Sequence, residues 1–253
     1  MAGFRGWSPA AFDFYRQLEA ENTRDWWLAH KPTYDTEVRA PFDALSELVA
    51  DEFGPLHVFR PNRDTRFSKD KTPYKTQCYA ITEGEGGERY YVGISTRGLA
   101  VGAGFWMMAP DQLERYRHAV DDAGSGEALV DAVAEVEAAK LTIEGHALKT
   151  APRGYPRDHA RIELLRRKSI AALRQWEPAA WIGTKGAADR IVGAWRAAAP
   201  LNAWLATHVG PSTAPPTPAG DRPPPNFVAE HHRTVLLTYE VQVGGADSIE
   251  LRR

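Results

Sequence analysis

The chain has 253 residues, 43% hydrophobic and 25% charged, which suits a globular protein of one large domain or two small ones. A chain this long can bury enough surface to fold without a disulfide or metal, and its single cysteine, Cys78, excludes an internal disulfide. No run approaches the roughly 18 apolar residues of a membrane span, and residues 1–22 offer no unbroken apolar core. The expectation is a cytoplasmic protein without a membrane partner.

Ser8 and Pro9 open a helix, a hydroxyl at the N-cap and a proline where a missing N–H is harmless. Asn22 followed by Asp25 marks a second start, anchored by Trp26, Trp27 and Leu28. Tyr34, Val38, Phe42, Leu45, Val49 and Phe53 then recur at spacings of three and four, the amphipathic helical period. Pro41 inside that run predicts a kink or two helices meeting, and Gly54-Pro55 ends it. The N-terminal third is therefore helical.

From residue 57 the texture changes. Residues 57–60, 77–82, 90–96 and 99–108 are short runs rich in Val, Ile and aromatics, which read as antiparallel strands joined by hairpins, one across Thr96-Arg97-Gly98. Gly102 and Gly104 predict a bulge or a close approach to the backbone. Helices return over 111–120 and 127–139, followed by a small strand at 141–143 and a short helix from Asp158 to Lys168. Helices over 184–199 and 201–205 complete the globular part. Residues 210–225 hold seven of the chain's eighteen prolines and form a linker that cannot pack a core. Beyond it, 234–241 has strand character, as an added edge strand or an exposed tail. The expected architecture is α+β: an antiparallel sheet of four or more strands flanked by helices over 1–208, a Pro-rich linker over 209–226, and a tail with a short C-terminal strand over 227–253.

The net charge of −2 hides a strong contrast. Residues 60–75 carry six cations, Arg60, Arg63, Arg66, Lys69, Lys71 and Lys75, against Asp64 and Asp70, a local +4. Residues 149–168 carry seven cations against Asp158 and Glu163, a local +5, which leaves −11 for the rest. Cationic segments on an acidic background draw in anions.

The first segment is the densest constellation in the chain. Arginine's planar fork suits the oxygen pair of a carboxylate or phosphate, lysine acts as a mobile point charge, and Phe67 and Tyr74 can stack on a ring. The plain alternative is a solvated strand edge guarded by lysines, with Asp64 tied into structural ion pairs. In the second segment, Pro152, Gly154 and Pro156 specify a rigid turn that holds Arg153 and Tyr155. That turn is expected to face the first segment, with the Gly102–Gly104 strand as floor, whereas Arg166, Arg167 and Lys168 read as an exposed basic helix.

The first segment resembles the signature of DUF2461, a bacterial family of unknown function, with the pattern Arg-x-x-Arg-Asp-x-Arg-Phe followed by Asp-Lys-x-x-Tyr. Arg60, Arg63, Asp64, Arg66, Phe67, Asp70, Lys71 and Tyr74 fill it. Further likeness lies in Asn22 through Trp26, Tyr34, Pro41, residues 101–104 and residues 152–155, so that the resemblance spans about 8–205. It implies a shared site and names no reaction.

Metal chemistry finds no support: eight histidines show neither His-x-x-x-His nor His-Glu-x-x-His spacing, and one cysteine makes no thiolate cage. No cofactor motif is present, since Gly102-Ala-Gly104 is too short to count. The leading expectation is an anionic small-molecule partner, phosphate- or carboxylate-bearing. Its contacts would be Arg60, Arg63, Arg66, Phe67, Lys69, Lys71, Lys75, Arg153 and Tyr155. Should the protein catalyse a reaction, Asp64 or Asp70 is the base and Tyr74 the proton donor. Nucleic acid is the second candidate partner, with the same cations tracking phosphates, although a pI near 6.5 argues mildly against it. A third is a protein partner recruited through the tail strand.

Overall fold

A computed structural model describes residues 3–66, 70–82 and 89–213. The expected linker beyond 213, the tail strand, Phe67 and Lys69 lie outside the described residues. Among those described, no helix is long and apolar enough to cross a membrane.

Helix α1 (Pro9–Ala20) starts at Ser8 with Pro9 in its first turn, but the Ser8 hydroxyl turns away to donate to Glu37 Oε2 at 2.5 Å. Helix α2 (Arg24–Thr33) is capped by Thr23, whose hydroxyl accepts from Trp26 N at 3.2 Å. Asn22, one residue earlier, is thereby left for another task. The kink expected at Pro41 takes the form of a π-helical turn, Tyr34–Arg39, leading into α3 (Ala40–Phe53). Pro41 has no N–H to offer the carbonyl four residues back, and its ring crowds that carbonyl. Widening to a five-residue step, seen where Ala40 N donates to Asp35 O, lets the run continue without a break.

Strands β1 (His57–Val58), β2 (Gln77–Ile81), β3 (Tyr90–Ser95) and β4 (Gly98–Phe105) form a meander. They precede α4 (Pro110–Asp121), α5 (Ala123–Ala138), β5 (Thr142–Glu144), α6 (Ile162–Leu165), β6 (Ile170–Trp176) and α7 (Gly186–His208). The sheet is six-stranded and antiparallel throughout, in the order β1-β2-β3-β4-β6-β5. This is the expected α+β architecture. Strand β6 is a surprise: Ile-Ala-Ala-Leu-Arg-Gln-Trp carries no strand signal, yet it sits inside the sheet between β4 and β5.

Cys78, Ala80, Val92, Ile94, Leu99 and Val101 share one face of β2–β4 and pack with α1, α3 and the first half of α7. Ala103, Phe105, Ile170 and Ala172 continue that packing with α4, α5 and the second half of α7. Long helix α7 thus backs both clusters. It also runs straight through Pro200, where the sequence predicts a break. Leu201, Trp204 and Leu205 are buried beyond the proline and hold the last turns in place.

Gly98 has φ +102°, and a Cβ there would lie 2.1 Å from the Trp176 carbonyl oxygen, so only glycine closes the two-residue β3–β4 turn against β6. The close approach expected at Gly102 and Gly104 is likewise made by β6, since Cβ atoms there would meet the carbonyl oxygens of Ala172 and Ile170. The tight fit belongs to the sheet itself.

Candidate functional site

The connection from β1 to β2 holds the first cationic segment, and it prolongs the strand pair as an overhanging hairpin. Phe59 N donates to Tyr79 O at 3.1 Å, Lys75 N to Pro61 O at 2.8 Å and Arg63 N to Pro73 O at 2.9 Å, with Asn62 bridged to Tyr74. Pro61 and Pro73 have no N–H, so each enters the ladder as an acceptor only, which also limits pairing with a foreign strand.

The hairpin is fastened to the helices at one point. The Asn22 side chain donates to Tyr74 O at 2.9 Å and accepts from Tyr74 N at 3.1 Å, standing in for a neighbouring strand. The Tyr74 ring lies flat on Trp27 of α2, centroids 4.2 Å apart and planes 11° apart. Asn22→Ala is expected to leave the body folded while releasing the hairpin, at about 1–2 kcal/mol of local stability for the lost bonds. Hydrogen exchange or limited proteolysis within residues 60–75 reads this directly, and unchanged protection there would refute the anchoring role.

Beyond the anchor, each acid takes one arginine. The Arg63 guanidinium donates to the Asp70 carboxylate and the Thr72 hydroxyl, and Asp70 Oδ1 in turn accepts from Thr72 N at 3.0 Å. Arg66 grips Asp64 with its fork, Nε to Oδ1 at 3.0 Å and Nη2 to Oδ2 at 2.7 Å. Lys71 donates to Thr65 O at 2.8 Å. Lys75 donates to Arg60 O at 2.8 Å, with its ammonium 5.6 Å from the Phe59 ring centroid and 5.0 Å from that of Tyr79. Both side chains of the Arg66–Asp64 pair are well exposed, at 78% and 49%, whereas Arg63 is half-buried.

These pairings decide what the acids can do. The Arg66 side chain and backbone N–H hold Asp64 down to about 2, and Arg63 followed by Thr72 holds Asp70 down to about 2. Carboxylates that acidic are poor proton acceptors near neutrality, so the geometry does not favour either as a general base. The Tyr74 ring is fixed against Trp27, where it positions the hairpin.

The second cationic segment is elsewhere. The hairpin leaves the sheet where β2 begins, beside the β3–β4 turn and the end of β6, because Gln77 pairs with Ser95, Ser95 with Gly98 and Leu99 with Trp176. Residues 145–169 connect β5 to β6 at the end marked by Glu144 opposite Ala171 and Phe105 opposite Ile170. The two segments therefore leave opposite ends of the sheet, and from opposite edges. Arg153 and Tyr155 do not face the first segment, and Gly102 and Gly104 are packed against β6. Arg153 is exposed and has no hydrogen bond or ion pair to any other described residue. Tyr155 packs against the α4–α5 cluster, where burial raises its hydroxyl pKa.

Other arginines of the second segment work on the backbone. Arg161 donates to the carbonyls of Val120, Asp121 and Asp122, while Arg166 donates to those of Leu148 and Lys149 and pairs with Glu163. Arg166 is thus a staple between two loops, where the sequence suggests only an exposed basic helix. A shallow groove of about 360 Å³ lies between α5 and α7, lined by Ala132, Glu135, Pro200 and Trp204 among others, and by none of the expected ligand residues.

Sequence reasoning missed Asn22 and Trp27 as hairpin anchors, Thr72 as the partner of Arg63, and Phe59 and Tyr79 as the rings beneath Lys75. The one available signal is the pair of prolines within the charged run, Pro61 and Pro73, each of which joins the ladder as an acceptor only.

A search of the curated proteins returned no match to the chain. A family model described as "Conserved hypothetical protein (DUF2461)" matches residues 10–204, a span that runs from the first turn of α1 through most of α7 and includes residues 60–75. The chain therefore belongs to the DUF2461 family.

Proposed function

We propose that the protein binds a phosphate- or carboxylate-bearing small molecule on the hairpin of residues 60–75, with Arg60, Arg63, Arg66 and Lys71 as the contacting cations. The observation that carries this reading is the Arg66 fork at the hairpin tip, which already holds a carboxylate in two-pronged geometry while standing largely in solvent. A guanidinium so oriented can receive an oxygen pair from outside in the same two-pronged geometry once Asp64 gives way. Thr72 and Asp70 fix Arg63 in the same hairpin, and the excess of positive charge persists after both acids are counted.

Titration of the protein with phenyl phosphate, followed by amide chemical shifts, tests it. Binding should map to residues 60–75 and fall at least about tenfold in an Arg63→Ala, Arg66→Ala double variant, the loss of two charge-assisted contacts. Equal binding by the variant would remove the hairpin from consideration.

The openness of the tip favours a second reading, in which the same cations track the phosphates of a nucleic acid. An affinity for single-stranded oligonucleotide that falls steeply with salt, by several powers of the concentration, marks that case. A small ligand meeting one or two cations gives a much shallower slope.

A further inference from the structure

We infer that Asp64 is a built-in competitor for Arg66, so that the hairpin selects a dianionic phosphate monoester over monoanionic carboxylates. The inference rests on the anion-binding reading above and narrows it to one class of ligand.

The Asp64 carboxylate occupies both prongs of the Arg66 fork and also accepts from the Arg66 backbone N–H at 3.2 Å. Two residues away on the same tip, it competes intramolecularly, without the cost of bringing a second molecule to the site. An incoming carboxylate offers the same two oxygens and the same single charge, so it gains nothing by displacing a tethered equivalent. A phosphate monoester brings up to two charges and three terminal oxygens, and it can outbid the aspartate. The displaced carboxylate is not stranded, because Arg60 lies within electrostatic reach of it. The arrangement exchanges one ion pair for a stronger one and leaves no charge without a partner.

A phosphodiester carries one charge per phosphate, so the same barrier stands against each backbone phosphate of a nucleic acid. The ligand class is accordingly a terminal phosphate.

The pH dependence follows with a definite sign. The second ionisation of a phosphate monoester lies near about 6, whereas Asp64 is held near 2. Between pH 7.5 and pH 5 the ligand loses its second charge while its competitor stays ionised and the arginines stay protonated. Affinity should fall across that window.

The test compares phenyl phosphate with benzoate and benzenesulfonate, which share the ring but carry one charge. In the full-length protein at pH 7.5, phenyl phosphate is expected to bind roughly tenfold or more tightly than either monoanion, as the second charge predicts at an arginine pair. In Asp64→Asn the two monoanions should tighten by about fivefold, the upper range for an exposed ion pair removed as competitor, and the preference for the dianion should shrink. Benzoate matching phenyl phosphate in the wild-type protein, or a preference unchanged in Asp64→Asn, overturns the competitor role while leaving anion binding intact. Failure of both proteins to bind any of the three probes overturns the anion-binding reading itself. The pH series on the wild-type protein needs no variant: a phenyl phosphate affinity that does not drop between pH 7.5 and pH 5 also counts against the dianion.

Discussion

Trp195→Ala is expected to cost about 4 kcal/mol of folding stability, near the top of the range for a buried large-to-small change. Trp195 is fully buried at the middle of α7. Its ring meets Phe53 of α3 at 5.1 Å and Tyr90 of β3 at 5.6 Å between centroids, and its indole N–H donates to Tyr91 O at 2.9 Å. One side chain thus ties together the last turn of α3, the sheet and the helix that backs it. Truncation removes the apolar contacts, opens a cavity that Phe53 and Tyr90 cannot close without moving the backbone, and takes a donor from the Tyr91 carbonyl. Trp195→Phe keeps most of the ring packing and loses the hydrogen bond, so it should cost about half as much. Urea unfolding of the two variants measures this. A loss below about 1 kcal/mol for the alanine variant would mean that α7 does not depend on this contact. Since a domain is stable by only about 5–15 kcal/mol in total, the alanine variant is expected to be marginal at 37 °C.

The elements that could be read from the sequence are those whose residues and surroundings agree. Strands β2, β3 and β4 are made of Val, Ile, Tyr and glycine-punctuated runs, and their pairing with immediate neighbours needs only short turns. Strand β6 has the opposite character. Ala171, Ala172, Leu173, Arg174 and Gln175 are good helix formers, and what makes them a strand is the pair of open edges, β4 and β5, on either side. No local signal records that. Pro200 misleads in the other direction, because a single absent N–H is tolerated when the following turn is buried on Trp204 and Leu205.

The candidate site divides along the same line. The charge excess and the ring-bearing residues of 60–75 are visible as composition, and Pro61 and Pro73 hint at a hairpin. Which aspartate takes which arginine is not visible, since Asp64 lies one residue from Arg63 and two from Arg66 while Asp70 lies seven and four away, and these spacings do not dictate the partners. The tip geometry settles it as Asp64 with Arg66 and Asp70 with Arg63. Arg153 failed for a simpler reason: counting charge says nothing about the end of the sheet from which a segment emerges, and the antiparallel register sends it the other way.

The most consequential arginine outside the hairpin is Arg161, and Arg161→Ala is expected to destabilise the protein by about 3 kcal/mol. Its guanidinium is 16% exposed and donates to Val120 O at 2.7 Å, Asp121 O at 2.8 Å and Asp122 O at 3.1 Å. Val120 and Asp121 carry the last carbonyls of α4, which have no further intrahelical donor, and Asp122, whose carbonyl also accepts from Gly126 N at 2.9 Å, is where the chain turns into α5. A cation there also meets the negative end of the helix dipole. Arg161→Lys keeps the charge and loses the fork, so it should recover only a minor part of the loss. In thermal unfolding the alanine variant should melt roughly 6–12 °C lower, given about 2–4 °C per kcal/mol for a body of this size. Gly126 supplies an independent check, because a Cβ at that position would lie 2.4 Å from Arg161 Nε and 2.3 Å from Val120 O. Gly126→Ala should therefore damage the same junction, and the two changes should be markedly less than additive when combined. Full additivity would show that Arg161 and Gly126 act separately, and that the α4–α5 turn is held by something other than this guanidinium.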